Sequence, residues 1–278
     1  MKRLLTVAAV GVVAMLILGG TCPGPGILEA PTISSVKMAD GAMTVYWNPS
    51  IDEEHEDFTG YNVYLFTDST LYDLSGDNDT LADYLVNSTP TTDTSLAISN
   101  LSNDTIYYIQ VRTVSGEDQV GDYNLNQPYV SASPRPEFTV TLNFEESESN
   151  QNEPGVAVVF ATGTVVDEVN GEFPDADAFA DHYVKADSTQ LVSADARPNG
   201  RHTLIVLETG TYDEFWDASG VDFGTSDRAL FSEGDLLVAK TQDGNYVKIS
   251  IEAIDNTTTP WTVDLKFAYQ NIPDFPRF

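Results

Sequence analysis

The chain has 278 residues, 41% of them hydrophobic and 10% aromatic, enough to bury more than one core. Forty-three acidic residues against thirteen basic ones give a formal net charge of −30, which speaks against nucleic acid as a partner and against electrostatic attachment to anionic lipid. The single cysteine excludes an intramolecular disulfide framework, so the folded part must rest on its hydrophobic cores.

Lys2 and Arg3 precede an apolar run from Leu4 to Leu18, the pattern of an export signal. The run falls short of the roughly 20 apolar residues that a spanning helix needs. Leu18-Gly19-Gly20-Thr21-Cys22 resembles the lipobox of bacterial lipoproteins, although the aliphatic residue stands four places before the cysteine where the motif puts it three before. The resemblance implies that residues 1–22 are a lipoprotein-type signal peptide and that the Cys22 thiol takes a diacylglycerol. The expected address is the cell envelope, lipid-anchored at the outer membrane or cell surface, with plain secretion and a free Cys22 as the other outcome. Pro23-Gly24-Pro25-Gly26 offers nothing to bury, and residues 23–29 are expected to be a tether.

From Ala30 the chain alternates with a period of two and lacks long stretches of helical period, so an all-β fold is expected. Strands are predicted at Thr32–Val36, Met43–Trp47, Tyr61–Phe66, Ser95–Ile98, Tyr107–Thr113 and Tyr129–Ala132. In the fifth of these, Tyr107, Ile109 and Val111 take the core face and Tyr108, Gln110 and Arg112 the other. Pro31, Trp47 with Pro49, Gly60-Tyr61-Asn62-Val63-Tyr64, and the Leu101, Thr105, Tyr107 series resemble a fibronectin type III domain over residues 30–136. The resemblance implies an immunoglobulin-like sandwich in which Tyr107 bonds back to backbone near Leu101. It also implies a spacer or a binding module, with Trp47 and Tyr107 as packing residues. The stretch from Asp68 to Asp93 exceeds the family pattern and is expected to lie over one edge of the sandwich. Asp52-Glu53-Glu54-His55-Glu56-Asp57 lacks the ligand spacing of a calcium loop and reads as a solvated loop.

Ser133-Pro134-Arg135-Pro136 is expected to be a stiff, extended joint, because each proline disfavours helix at the residue before it. A second antiparallel β domain should fill residues 137–278. Phe138, Val140, Leu142 and Phe144 share one face of its first strand. Gly155–Val166 reads as a long apolar strand interrupted at Gly163, where a bulge or a close backbone approach is expected. Leu236–Gln242 and Asn245–Ile251 flank Asp243-Gly244, a tight hairpin signal, and Trp261 to Tyr269 adds a third strand to a closing meander. The segment from Asp243 to Lys248 together with Phe267-Ala268-Tyr269-Gln270 resembles the C-terminal part of HmuY-type haem-binding lipoproteins. In that family two histidines ligate the iron, and His182 and His202 are the two available in this domain.

Asp175, Asp177 and Asp181 have a spacing open to calcium but lack the turn glycine and distal glutamate of a dedicated loop. A solvated loop is the preferred reading of the three, and two unrelated histidines the preferred reading of the pair. No nucleophile elbow, zinc helix or phosphate-cradling loop is present in the sequence. The expected role is therefore non-catalytic and without cofactor, the alternatives being calcium or haem. The fibronectin-like sandwich would be a spacer presenting the C-terminal domain to a protein, glycan or small-molecule ligand. A carbohydrate-active accessory module is a further alternative, for which Trp216 and Trp261 would have to share an exposed face.

Overall fold

The computed structural model describes residues 28–73, 78–144, 146–147, 156–183 and 188–278. Cys22 and the leader lie outside the described residues, as does most of the acidic stretch 145–155. Among the described residues no helix is long and apolar enough to cross a membrane.

The first seven strands are β1 (Ile33–Ala39), β2 (Ala42–Trp47), β3 (Phe58–Phe66), β4 (Ser95–Ser99), β5 (Tyr107–Ser115), β6 (Gln119–Val120) and β7 (Val130–Ala132). They form two antiparallel sheets, β1-β2-β4 and a second in which β5 pairs with β3, β6 and β7. Val36, Val45, Trp47, Tyr61, Val63, Ile109 and Val111 from both sheets make one core between them. Ala39 pairs with Ala42, which leaves Asp40-Gly41 as a two-residue turn with Gly41 at φ 61°.

Both faces of the second sheet are covered, where the alternation of β5 suggested one. The stretch after β3 forms short helical turns at Ser69–Asp73 and Asn78–Ala82. Leu71, Leu81, Tyr84 and Leu85 from this stretch close over Tyr64, Phe66 and Tyr108 in a second, smaller cluster. The same stretch then runs along the edge of β3, with Val86 N–H bonding Val63 O and Thr91 exchanging bonds with Tyr61. Gln110 and Arg112 are in consequence only 2% exposed, and Arg112 is bonded to Gln110 Oε1 and stacked near Tyr64 and Tyr123. The insertion thus covers a face as well as an edge, and it does so with apolar side chains that a bare loop would expose.

The remaining strands are β8 (Glu137–Phe144), β9 (Glu146–Ser147), β10 (Val156–Val159), β11 (Thr164–Asp167), β12 (Ala178–Tyr183), β13 (Ser188–Ser193), β14 (Thr203–Glu208), β15 (Arg228–Leu230), β16 (Leu236–Thr241), β17 (Tyr246–Asp255) and β18 (Trp261–Tyr269). One sheet runs β11-β10-β12-β13-β15, with β9 parallel beside β12. The other runs β14-β16-β17-β18-β8 and contains the expected meander β16-β17-β18. Their shared core includes Val140, Leu142 and Phe144 from β8, and Val263, Leu265, Phe267 and Tyr269 from β18. These are the faces that the alternation assigned inward.

Two local readings change. Val156–Asp167 is a hairpin of β10 and β11 and not one interrupted strand: Gly163, at φ 64°, donates its N–H to Val159 O and turns the chain back. A Cβ at Gly163 would lie 2.4 Å from the Phe138 ring, so that ring closes over the turn only because glycine is there. At the second hairpin the last strand pair is Lys240–Tyr246, and of the turn residues only Gly244 has positive φ. Gly244 N–H bonds Thr241 O, and Thr241 N–H bonds Asn245 O, the pattern of a longer turn ending in a glycine bulge where Asp-Gly alone suggested a two-residue turn.

Candidate functional site

The joint between the two sandwiches is packed. Ser133 is 0% and Arg135 1% exposed, so the Ser-Pro-Arg-Pro joint lies out of water. Arg135 donates its backbone N–H to Ala39 O and its Nη1 to Met38 O, at 3.2 and 2.9 Å, which ties the joint to the end of β1. Its Nη1 also meets Glu137 Oε1 at 3.1 Å, and the guanidinium lies 5.9 Å from the centre of the Phe278 ring. Burial lowers the Arg135 pKa, while Tyr212 and Glu137 oppose the shift.

Further contacts join the same halves. Arg277 donates Nη1 to Ser131 O at 2.8 Å, and Asn271 Nδ2 donates to Asp104 Oδ1 at 2.7 Å. The segment after β14 is held against the second sandwich by Lys248 of β17, whose amine donates to Tyr212 O at 2.7 Å and to Phe215 O at 3.1 Å. Lys248 is 3% exposed and lies 4.2 Å from the centre of the Tyr212 ring, with Lys266 near that ring at 4.4 Å. Burial, reinforced by the charge of Arg135, brings the Lys248 pKa down to about 7 against the pull of Glu137 and Asp213. Burial also raises the Tyr212 hydroxyl far above its ordinary value. Phe278 is 1% exposed and its N–H bonds Trp216 O, so the final residues close the same region.

These groups surround a cavity of about 270 Å³ between the sandwiches. Lys37 and Met38 come from the first, and Arg135, Tyr212, Trp216, Lys248 and Phe278 from the joint and the second. A larger cleft of about 590 Å³ lies at one end of the first sandwich, between residues 28–32, 48–51 and 122–126, with Ile51 and Leu125 each 80% exposed beside it. That sandwich also carries the Tyr107 corner, whose hydroxyl accepts the Ser102 N–H at 3.0 Å, one residue after Leu101. Residues 29–122 match the fibronectin type III domain. The match stops short of β7 and of the joint, and no curated protein is similar to the chain at a significant level.

The candidate residues of the second domain are placed as follows. His182 is buried on β12, with Nδ1 3.1 Å from Thr189 Oγ1 and its ring 4.6 Å from that of Trp261. His202 is half exposed and pairs through Nδ1 with Asp195 Oδ2 at 2.6 Å. Thr189 stands near the start of β13 and Asp195 beyond its end. The four residue steps to Ser193 alone span ~13 Å at about 3.3 Å each. The two histidines therefore lie at opposite ends of β13, and the fold does not bring them together on one iron.

Asp175 is exposed at a turn, while Asp177 is buried and its carboxylate is already engaged. Asp177 Oδ2 accepts the Phe160 N–H at 2.8 Å and Oδ1 accepts Arg201 Nε at 2.9 Å. Burial raises the Asp177 pKa, and these two donors hold part of it down. Arg201 reaches onward to Asp243 in the hairpin turn. Asp181 accepts Gln190 Nε2 on β13. Among the described residues no group of three or more histidine, cysteine or acidic side chains is arranged to hold a metal ion. Trp261 packs against Phe144 in the second core, whereas Trp216 lies at the joint, 42% exposed, beneath Arg277. They do not form a common platform.

Sequence reasoning missed Tyr212 and Lys248 as a pair. The signal was weak: a lysine in the alternating β17 whose neighbours Val247 and Ile249 are core residues. Its own side lies under Tyr212 only because the chain after β14 folds back across the sheet.

Proposed function

We propose that this is a non-catalytic cell-envelope protein, exported by its leader and anchored through a lipid on Cys22. In it a fibronectin type III spacer presents the C-terminal sandwich for ligand binding or as a surface structure. The observation that supports this reading is the buried joint: a spacer is useful when it fixes the orientation of what it carries, and Arg135 ties β1 to the start of β8 with its side chain out of water. The net charge of −30 leaves an acyl chain, and not a basic surface, as the means of attachment. The cleft beside Ile51 and Leu125 is where a protein or glycan partner would meet the spacer.

The test is metabolic labelling with radioactive palmitate in the native host, comparing the wild type with Cys22→Ser. Label should enter the membrane fraction of the wild type and vanish in the variant, which should appear in the soluble fraction. Equal partitioning of both, without label, would refute the anchor.

A further inference from the structure

Three of the thirteen basic residues of this very acidic chain, Lys37, Arg135 and Lys248, line one cavity of about 270 Å³, and Lys266 stands on the Tyr212 ring beside it. Two buried donors at this cavity lack any hydrogen-bond partner: Arg135 Nε and Tyr212 Oη. Buried polar atoms are nearly always satisfied, and an orphan at the wall of a cavity points to what the cavity takes up. Lys248 directs its amine to Tyr212 O and Phe215 O at the wall of the same cavity. Two carboxylates share the lining: Glu137, which is engaged by Arg135 and close enough to the Tyr212 hydroxyl to help raise its pKa, and Asp213, which is exposed. Met38, Phe215, Trp216 and Phe278 supply apolar wall. Water alone would satisfy the donors but gain nothing from the aromatic walls, and a bare inorganic anion would leave those walls wet.

We propose that the cavity between the two sandwiches binds a small aromatic carboxylate, its carboxylate on Arg135 Nε and Tyr212 Oη and its ring between the aromatic walls. The ligand would touch Lys37 and Met38 on one side and Tyr212 and Phe278 on the other, so that binding clamps the two sandwiches together. The inference is independent of the lipid anchor and stands if that reading fails.

Phenylacetate serves as the probe, with phenylacetamide and inorganic phosphate as controls, on the full-length chain in detergent. Phenylacetate should raise the melting temperature saturably and give a calorimetric isotherm, because a ligand that binds only the folded state stabilises it by mass action. Phenylacetamide and phosphate should do neither. Tyr212→Phe removes one unpartnered hydroxyl and keeps the ring, so it should fold and bind phenylacetate about tenfold more weakly. Arg135→Lys should weaken binding further if it folds, and the tyrosine variant decides the matter if it does not. Absence of binding to the wild type, equal binding of phenylacetamide or of phosphate, or unchanged affinity in Tyr212→Phe would each overturn the proposal.

Discussion

Lys248 makes stability depend on pH in a window where few other side chains titrate. Its folded pKa is about 7 and its ordinary value 10.5, so between those limits the unfolded chain holds a proton that the folded chain has released. Stability therefore rises with pH across the window, and below pH 7 the penalty of the buried charge is fully present. The groups that set the value face it from several sides: Arg135 and Lys266 repel the ammonium, Glu137 and Asp213 hold it. At ~1.36 kcal/mol per unit, the interval from pH 7 to 9.5 corresponds to about 3 kcal/mol of added stability. Lys248→Met keeps length and apolar contact while removing the charge. Urea unfolding of wild type and variant at several pH values between 6.5 and 9.5 should give curves that diverge, the wild type gaining on the variant as pH rises. Parallel curves would show that the amine stays charged inside the fold, kept so by Tyr212 O, Phe215 O and the Tyr212 face, and the reasoning would fail.

Arg201→Ala leaves the Asp177 carboxylate, 3% exposed, with only the Phe160 N–H, and should cost about 3 kcal/mol in chemical unfolding. Asp177→Asn made on top of it should recover part of that loss. Tyr107→Phe removes the single bond to Ser102 N–H and should lower stability by about 1 kcal/mol, with the spectrum of the folded state unchanged.

Where one face of a strand packs on one core, the fold was legible. The alternations in β5, β8 and β18 put Ile109 and Val111, Val140 and Leu142, and Val263 and Leu265 on the sides where the structure has them. The Tyr107 corner was readable because a local spacing determines its hydrogen bond. Long-range folding-back was not. Nothing in the neighbourhood of Gln110 or Arg112 says that Leu71 and Tyr84 will cover them, and nothing near Ser133 says that Met38 O awaits Arg135. Gly163 marked a break in the strand, but both a bulge and a turn use a glycine at positive φ, and the choice rests on the packing of Phe138. The candidate carboxylates and histidines were chosen by residue type and spacing. Type and spacing do not reveal that Asp177 is committed to Arg201 or that β13 separates His182 from His202.

The three tryptophans fall into three different settings: Trp47 inside the first core, Trp261 in the second beside His182, and Trp216 at the joint under Arg277. Single-indole variants would accordingly give an optical probe for each sandwich and one for their junction. Emission recorded from each during denaturation would tell whether the halves come apart before either melts.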